Sequence, residues 1–138
     1  MTSEWQKSDV TVVLNLDEAI PSAQMDKIQI EQVILNFLRN ALHAMSATPQ
    51  AERRLSIATS SESSETVTLS VSDNGHGLLD SPDKLFEPFH SNKDDGLGLG
   101  LSISRTIIEN HAGQIWAQPN EGAGATFGFS LPTSSVAS

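Results

Sequence analysis

Hydrophobic positions divide the chain into strand-like and helix-like segments. Val10–Leu16 is rich in branched apolar residues at strand spacing, and Pro21 and Ser22 break the pattern. Apolar residues in Ile28–Met45 recur at helical spacing and cover more than half of the helical wheel. We therefore predict a strand followed by a long, largely enclosed helix, with Asp26 as its N-cap.

The rest of the chain shows further strand and helix patterns. A serine-rich loop separates two alternating runs, and a glycine-rich segment leads directly into an amphipathic helix that ends near His111. Residues 133–138 lack any such pattern and are predicted to be a disordered tail. The remaining predicted elements are strands at Arg54–Thr59, Thr66–Ser72, Gln114–Ala117 and Ala125–Leu131, and a short helical turn at Ser81–Asp83.

Polar residues form one narrow wedge on the long helix. Gln32, Asn36, Arg39, Asn40 and His43 fall together on the wheel. They could be a solvated strip on a helix that packs elsewhere. Alternatively, the two asparagines, one turn apart, supply oxygens to a hydrated magnesium ion and its phosphates.

Glycines alternate at the start of the segment Asp94–His111. Gly96, Gly98 and Gly100 allow the backbone to approach a ligand closely and to adopt positive φ. Free N–H groups at the start of a helix suit a phosphate group. The pattern therefore indicates either a phosphate site or a flexible hinge before a core helix.

An acidic residue stands at the end of a predicted strand, in the run Ser-Asp-Asn-Gly-His-Gly. The turn that follows would leave the carboxylate of Asp73 facing a cavity. A carboxylate only accepts hydrogen bonds, so it suits an exocyclic amine such as that of adenine. The alternative is an aspartate that only stabilises the turn.

Two phenylalanines precede a polar loop. Phe86 and Phe89 could form a hydrophobic clamp that anchors the loop His90–Asp95, or they could belong to the core. Lys93 is the best placed lone cation near the glycines.

Composition narrows the class of protein. With 138 residues and no cysteine, the chain suits one domain without disulfides or thiolate metal sites. No apolar run is long enough to span a bilayer, so we expect a cytoplasmic domain without membrane contact. The net charge of −9 argues against a nucleic-acid surface. A polyanionic ligand would need backbone amides, a few basic groups and a divalent cation.

Five ordered motifs carry a resemblance. NFLRNALHAM, SDNGHGL, LFEPF, GLGLGLSISRTIIENHAG and GATFGFSLP resemble the catalytic ATP-binding domain of sensor histidine kinases, in the superfamily of gyrase, chaperone, kinase and MutL proteins (GHKL). The likeness covers about Val10–Pro132 and is similar above all to the nitrogen- and oxygen-sensing kinases. It implies an α/β sandwich, in which a mixed, mostly antiparallel sheet of about five strands is backed by about three helices. The catalytic domain would then be residues 1–132.

The resemblance also implies roles for individual residues. Asn36 and Asn40 match the asparagine box, whose second member binds magnesium, and we expect both to be catalytic. Asp73 matches the residue that reads adenine, with Gly75 and Gly77 shaping its loop. Phe86 and Phe89 match the phenylalanine box, and Thr126 matches a small hydroxyl residue behind the adenine. Around the phosphates we expect a lid, His90–Leu97, and a glycine box. The expected contacts are Arg39, His43, Lys93, Gly96, Leu97, Gly98, Leu99 and Gly100.

One position separates activities in the superfamily. Relatives that hydrolyse ATP have a glutamate base where this chain has Asn36. An amide has no useful basicity near neutral pH, so we expect slow hydrolysis. The resemblance implies that the phosphoryl group is transferred instead to a histidine, whose neutral imidazole is a nucleophile.

The acceptor histidine is expected outside the chain. The helices that carry it in the family would precede Met1, so the partners implied are a dimerisation and phosphoacceptor domain that is missing here, and a downstream response regulator. The isolated domain is expected to be a monomer. Two alternatives are a serine kinase of the anti-sigma-factor type and an inactive nucleotide-binding module.

Overall fold

The computed structural model describes residues 11–15, 25–63, 65–87 and 97–133. Its centre is a five-stranded sheet with the strand order β1-β2-β3-β5-β4. β1 pairs with β2 in parallel, and the other pairs are antiparallel. The mixed, mostly antiparallel sheet predicted from the resemblance is confirmed. The strands are β1 (Thr11–Asn15), β2 (Arg54–Ser63), β3 (Thr66–Asp73), β4 (Gln114–Pro119) and β5 (Ala125–Pro132).

Helices pack on one face of the sheet. Two are long, α1 (Lys27–Ala44) and α3 (Leu97–Asn110), and α2 (Pro82–Leu85) is a single turn. A 3-10 turn, Gln50–Glu52, connects α1 to β2. Buried residues of both long helices and of the sheet form one core. This arrangement is the predicted α/β sandwich.

Alternation along β5 separates the core face of the sheet from its outer face. Phe127 and Phe129 point inward, and the fully buried ring of Phe37 on α1 lies 5.8 Å and 6.1 Å from theirs. On the outer face, the ring of Trp116 covers Gly128, where a β-carbon would lie only 2.3 Å from it. The site described below depends on which face each residue of β3 and β5 occupies.

The two long helices are joined at one end by a histidine. The Asp26 side chain accepts a hydrogen bond from the Gln29 N–H at 3.1 Å, so the predicted N-cap of α1 is confirmed. The Asp26 N–H donates to His111 Nε2 at 2.9 Å, and His111 Nδ1 lies 2.8 Å from the Ile107 carbonyl oxygen. His111 therefore links the start of α1 to the end of α3, a role that its position in the sequence alone does not reveal.

The structure corrects two boundaries. β2 continues to Ser63, so most of the segment predicted as a serine-rich loop is strand, with an irregular register between Ser60 and Ser63. Thr133 is fully buried and its N–H donates to the Glu65 carbonyl oxygen at 2.9 Å, so the predicted disordered tail does not begin at residue 133. The break predicted at Pro21 and Ser22 lies outside the described residues.

Candidate functional site

The carboxylate of Asp73 is buried and only half paired. Asp73 is 3% exposed at the end of β3, on the core face of the sheet. Its Oδ1 accepts a hydrogen bond from the Gly75 N–H at 2.8 Å. Its Oδ2 is buried and has no hydrogen-bond partner within the described ranges. Buried polar atoms are nearly always paired, so this oxygen is an acceptor placed for a donor that a ligand can bring.

Burial also shifts the pKa of this carboxyl group. Desolvation raises the pKa of Asp73 above its ordinary value of 3.8, while the Gly75 N–H, the Ala125 N–H and the charge of His76 oppose the rise. The Ala125 N–H lies near the carboxylate but forms no hydrogen bond with Oδ2. A hydrogen-bond donor at Oδ2 would favour the charged form and so relieve part of the cost of burial.

Glycines hold the loop after Asp73 in place. A β-carbon on Gly75 would lie 2.2 Å from the Ala44 carbonyl oxygen, so only glycine lets the loop approach the end of α1. The His76 N–H donates to the same oxygen at 3.0 Å. Gly77 has φ of +84°, which a residue with a side chain rarely adopts. This geometry agrees with a loop shaped by Gly75 and Gly77, and their contact with a nucleotide stays a prediction.

Asn36 joins α1 to the glycine segment. Its Nδ2 donates to the Gly100 carbonyl oxygen at 3.2 Å and to Ser104 Oγ at 3.1 Å, and the Ser104 hydroxyl donates to Gly100 at 2.9 Å. Ser104 is fully buried. These bonds fix the orientation of the Asn36 amide. Among the described residues nothing donates to its Oδ1, so this atom is the one that a ligand can use.

The other members of the polar wedge are more exposed. Asn40 is half-buried, one turn after Asn36 on the same face of α1, while Gln32, Arg39 and His43 are exposed. The wedge is therefore accessible to solvent. Both interpretations of it, a solvated strip and one side of a ligand site, require this.

The glycine segment begins as helix rather than loop. α3 starts at Leu97, so Gly98 and Gly100 lie within its first turns and have a helical backbone rather than the positive φ that glycine allows. A β-carbon on Gly100 would make ordinary contacts of 3.6 Å or more with Asn36. Leu97 and Leu99 also belong to the first turn of α3. Phe89, Lys93 and Gly96 lie outside the described residues, as does most of the predicted lid.

Phe86 belongs to the core. It is 5% exposed and its ring packs edge-on against Phe127 at 6.3 Å. A groove of about 410 Å³ beside it, between α2, α3 and β4, contains none of the predicted ligand residues.

Thr126 does not face Asp73. It pairs with Ser72 across the sheet, and its hydroxyl lies 3.0 Å from the Ser72 hydroxyl on the outer face. Successive residues of a strand point to opposite faces, so the core face beside Asp73 belongs to Ala125. The prediction that Thr126 lies behind the adenine is corrected accordingly.

Sequence reasoning missed two polar residues near the site. Ser104 reads as an ordinary small residue of a helix, and Asn120 as part of the turn between β4 and β5. Asn120 bonds to Ser72 and to the main chain of Asp73, which are 48 and 47 positions away. An asparagine in a turn is a weak signal, because most such residues bond only to nearby backbone.

The fold defines an α/β sandwich domain, and the unpaired Oδ2 of Asp73 marks a polar site beside α1. Residues 25–135 match the family model described as histidine kinase-, DNA gyrase B- and HSP90-like ATPase, and the chain belongs to this family. Over 129 residues it is 41% identical to the sensor protein FixL of Bradyrhizobium diazoefficiens, covering 92% of this chain and 25% of FixL.

Solved structures agree with this assignment. The catalytic domain of histidine kinase ThkA, nucleotide-free, gives a TM-score of 0.82 at 30% identity and covers 96% of this chain and 84% of its own. Full-length ShkA in complex with AMPPNP gives 0.79 at 26% identity, covering 96% of this chain and 27% of its own. The resemblance to histidine-kinase catalytic domains is confirmed, and the chain spans about a quarter of the length of FixL. None of the helices in the described ranges has the length and hydropathy to cross a membrane.

Proposed function

We propose that this chain binds ATP with magnesium and transfers the γ-phosphoryl group to a histidine on a separate dimerisation domain. The observation that carries the proposal is the buried Oδ2 of Asp73, which has no donor within the described ranges. The 6-amino group of adenine is such a donor. Guanine has a carbonyl oxygen at that position, so Asp73 would repel it and favour adenine.

The polar wedge of α1 and the start of α3 would hold the phosphate end of the nucleotide. Asn40 offers an amide oxygen of the kind that magnesium prefers, and Asn36 presents its Oδ1 beside the first turns of α3. The N-terminus of a helix attracts negative charge. Magnesium, when bound, would neutralise part of the phosphate charge. Arg39, His43, Lys93 and Gly96 are proposed as further phosphate contacts.

Asn36 would also protect the nucleotide from water. Both hydrogen bonds of its Nδ2 go to α3, and an amide cannot remove a proton from water. In the proposed transfer, a P–N bond to the acceptor imidazole forms as the bond between the γ-phosphorus and ADP breaks, and the imidazole loses its proton. The chain would contribute by positioning the phosphoryl group and stabilising its charge.

The partners follow from this reaction. The acceptor would be a dimerisation domain that carries the histidine, and a response regulator would receive the phosphoryl group from it. We propose that the isolated domain is a cytoplasmic monomer without nucleic-acid or membrane contacts.

A labelling experiment tests the proposal. The chain is mixed with ATP labelled at the γ-phosphate, magnesium and a histidine-kinase dimerisation domain. Label on the dimerisation domain that is stable to alkali and labile to acid is the expected result. Label on serine would indicate a serine kinase, and no label with intact ATP binding would indicate an inactive module.

Replacement of Asn40 tests the magnesium site. Asn40→Ala should reduce the gain in ATP affinity that magnesium provides by about tenfold, since one ligand is lost, and should leave magnesium-free affinity nearly unchanged. Calorimetric titration with and without magnesium measures both quantities. Glu31→Ala, at an exposed position of α1 outside the polar wedge, is the control. Equal losses with and without magnesium would place Asn40 outside the metal site.

A further inference from the structure

Three polar side chains close a ring on the outer face of the sheet. Asn120 follows β4, and its Nδ2 donates to Ser72 Oγ at 2.9 Å. The Thr126 hydroxyl donates to Asn120 Oδ1 at 2.5 Å and lies 3.0 Å from Ser72 Oγ. We call Ser72, Asn120 and Thr126 the outer-face ring.

The hydrogens of the outer-face ring can be assigned. A hydroxyl group has one hydrogen, so when Thr126 donates to Asn120, the bond between Thr126 and Ser72 must use the Ser72 hydrogen. Each hydroxyl then donates once and accepts once. The Asn120 amide has its oxygen toward Thr126 and one N–H toward Ser72, which leaves one N–H.

That remaining N–H reaches the main chain of the adenine-reading residue. Asn120 Nδ2 donates to the Asp73 carbonyl oxygen at 2.9 Å. The Asn120 main-chain N–H also donates to the Gly124 carbonyl oxygen at 2.9 Å, which closes the turn. Gly124 packs directly on Asp73, because a β-carbon there would lie 1.8 Å from the Asp73 carbonyl oxygen. Asn120 therefore holds both the Asp73 peptide and the segment packed against it.

At the end of β3, the two faces of the sheet contact different parts of Asp73. The Asp73 carboxylate lies on the core face, with Oδ2 unpaired, while its carbonyl oxygen is bound by an outer-face side chain. A small rotation of the Asp73 peptide would move Oδ2 relative to a bound base. A hydrogen bond to a misplaced acceptor weakens steeply with distance and angle.

We propose that Asn120 is a positioning residue that sets the adenine selectivity of the site by fixing the main chain of Asp73. It touches no nucleotide itself and acts through Asp73, and the inference rests on the proposed ATP-binding function. Loss of Asn120 should then reduce recognition of the 6-amino group specifically. Contacts to ribose and phosphates should be unaffected.

The test compares two nucleotides that differ only in the 6-amino group. Affinities for ADP and for purine riboside diphosphate, which has hydrogen in place of the amine, are measured for the parent chain and for Asn120→Ala. We expect the parent to favour ADP by about tenfold or more, the strength of one good hydrogen bond to a charged group. In Asn120→Ala this ratio should fall several-fold toward one, with the affinity for the analogue nearly unchanged.

Two further variants separate positioning from general stability. Thr126→Val keeps the shape of the side chain but removes the hydroxyl that orients the Asn120 amide, so the preference for ADP should fall. Thr126→Ser keeps the hydroxyl and should keep the parent preference. Asn110→Ala, at an exposed asparagine of α3, is the control and should keep the parent ratio. If Asn120→Ala does not fold, the Thr126 pair gives the answer.

Each outcome is decisive. A parent-like ratio in Asn120→Ala and Thr126→Val, or an equal weakening of both nucleotides, would overturn the positioning role and leave ATP binding intact. A parent chain that binds both nucleotides equally well would contradict adenine recognition by Asp73 itself. That second failure is distinguishable because it appears without any substitution.

Discussion

Asp73→Asn is expected to reduce affinity for adenine nucleotides by about 100-fold or more. The substitution replaces the buried Oδ2, an acceptor without a partner in the described ranges, by an amide N–H₂ or rotates that amide away from Gly75. In the first orientation the amide N–H₂ faces the 6-amino group of adenine, so two donors oppose each other. In the second, the hydrogen bond from the Gly75 N–H is lost. A hydrogen bond to a charged group contributes about 1.5–3 kcal/mol, and an unpaired buried donor adds to the loss. Calorimetric titration with ADP and ATP measures the effect.

The same substitution should stabilise the protein without nucleotide. Desolvation raises the pKa of Asp73, so the folded chain binds this proton more tightly than the unfolded chain does. The free energy of unfolding therefore increases as the pH falls through the raised pKa of Asp73. This increase is complete below the ordinary pKa of 3.8. Above the raised pKa the buried charge of Asp73 lowers the free energy of unfolding, and Asp73→Asn removes this charge. We expect a higher Tm for the nucleotide-free variant.

Affinity for nucleotide should decrease as the pH falls, whereas the free energy of unfolding should increase. As pH falls through the raised pKa of Asp73, the carboxylate becomes protonated and adenine loses a charged acceptor. Asp73→Asn should lack this dependence. Asp83→Asn, at an exposed acid of α2, is the control and should bind nucleotide as the parent does. Parent-like affinity in Asp73→Asn would show that the unpaired oxygen is not the adenine contact.

Most of the fold could be predicted from local patterns. The helical spacing of α1 and the alternation of β3 and β5 concern neighbours in sequence, and their bounds agree with the prediction to within one or two residues. The end of β2 was missed because serine has little strand preference of its own. Its conformation there is set by pairing with β3, which no local pattern contains.

The candidate site was predictable only in part. Asp73 stands out because the turn that exposes it follows at once in the sequence. Thr126 was misplaced by one residue, and in a strand a shift of one residue reverses the face. The partners of the Asn36 amide, and the partners of Asn120 on β3, lie at least 47 positions away, so only the folded chain brings these polar groups together.

Gly124→Ala is expected to damage both stability and nucleotide binding. Gly124 has φ of +96°, and a β-carbon there would lie 1.8 Å from the Asp73 carbonyl oxygen. Atoms cannot approach so closely, so the backbone of Asp73 or of the turn must move. Positive φ costs a residue with a side chain about 1–2 kcal/mol. With the displaced backbone we expect a total loss of at least about 3 kcal/mol, in the range of the severe single substitutions.

Gly122→Ala separates the two causes. Gly122 also has positive φ, at +91°, but a β-carbon on it would meet no atom of the described residues within 4 Å. It should therefore show only the backbone cost of about 1–2 kcal/mol and keep its affinity for ADP. Urea unfolding gives both free energies, and an unchanged slope with denaturant shows that the comparison is valid. Equal losses in the two variants would mean that the contact between Gly124 and Asp73 is not tight, and the adenine site would then tolerate a side chain at this turn.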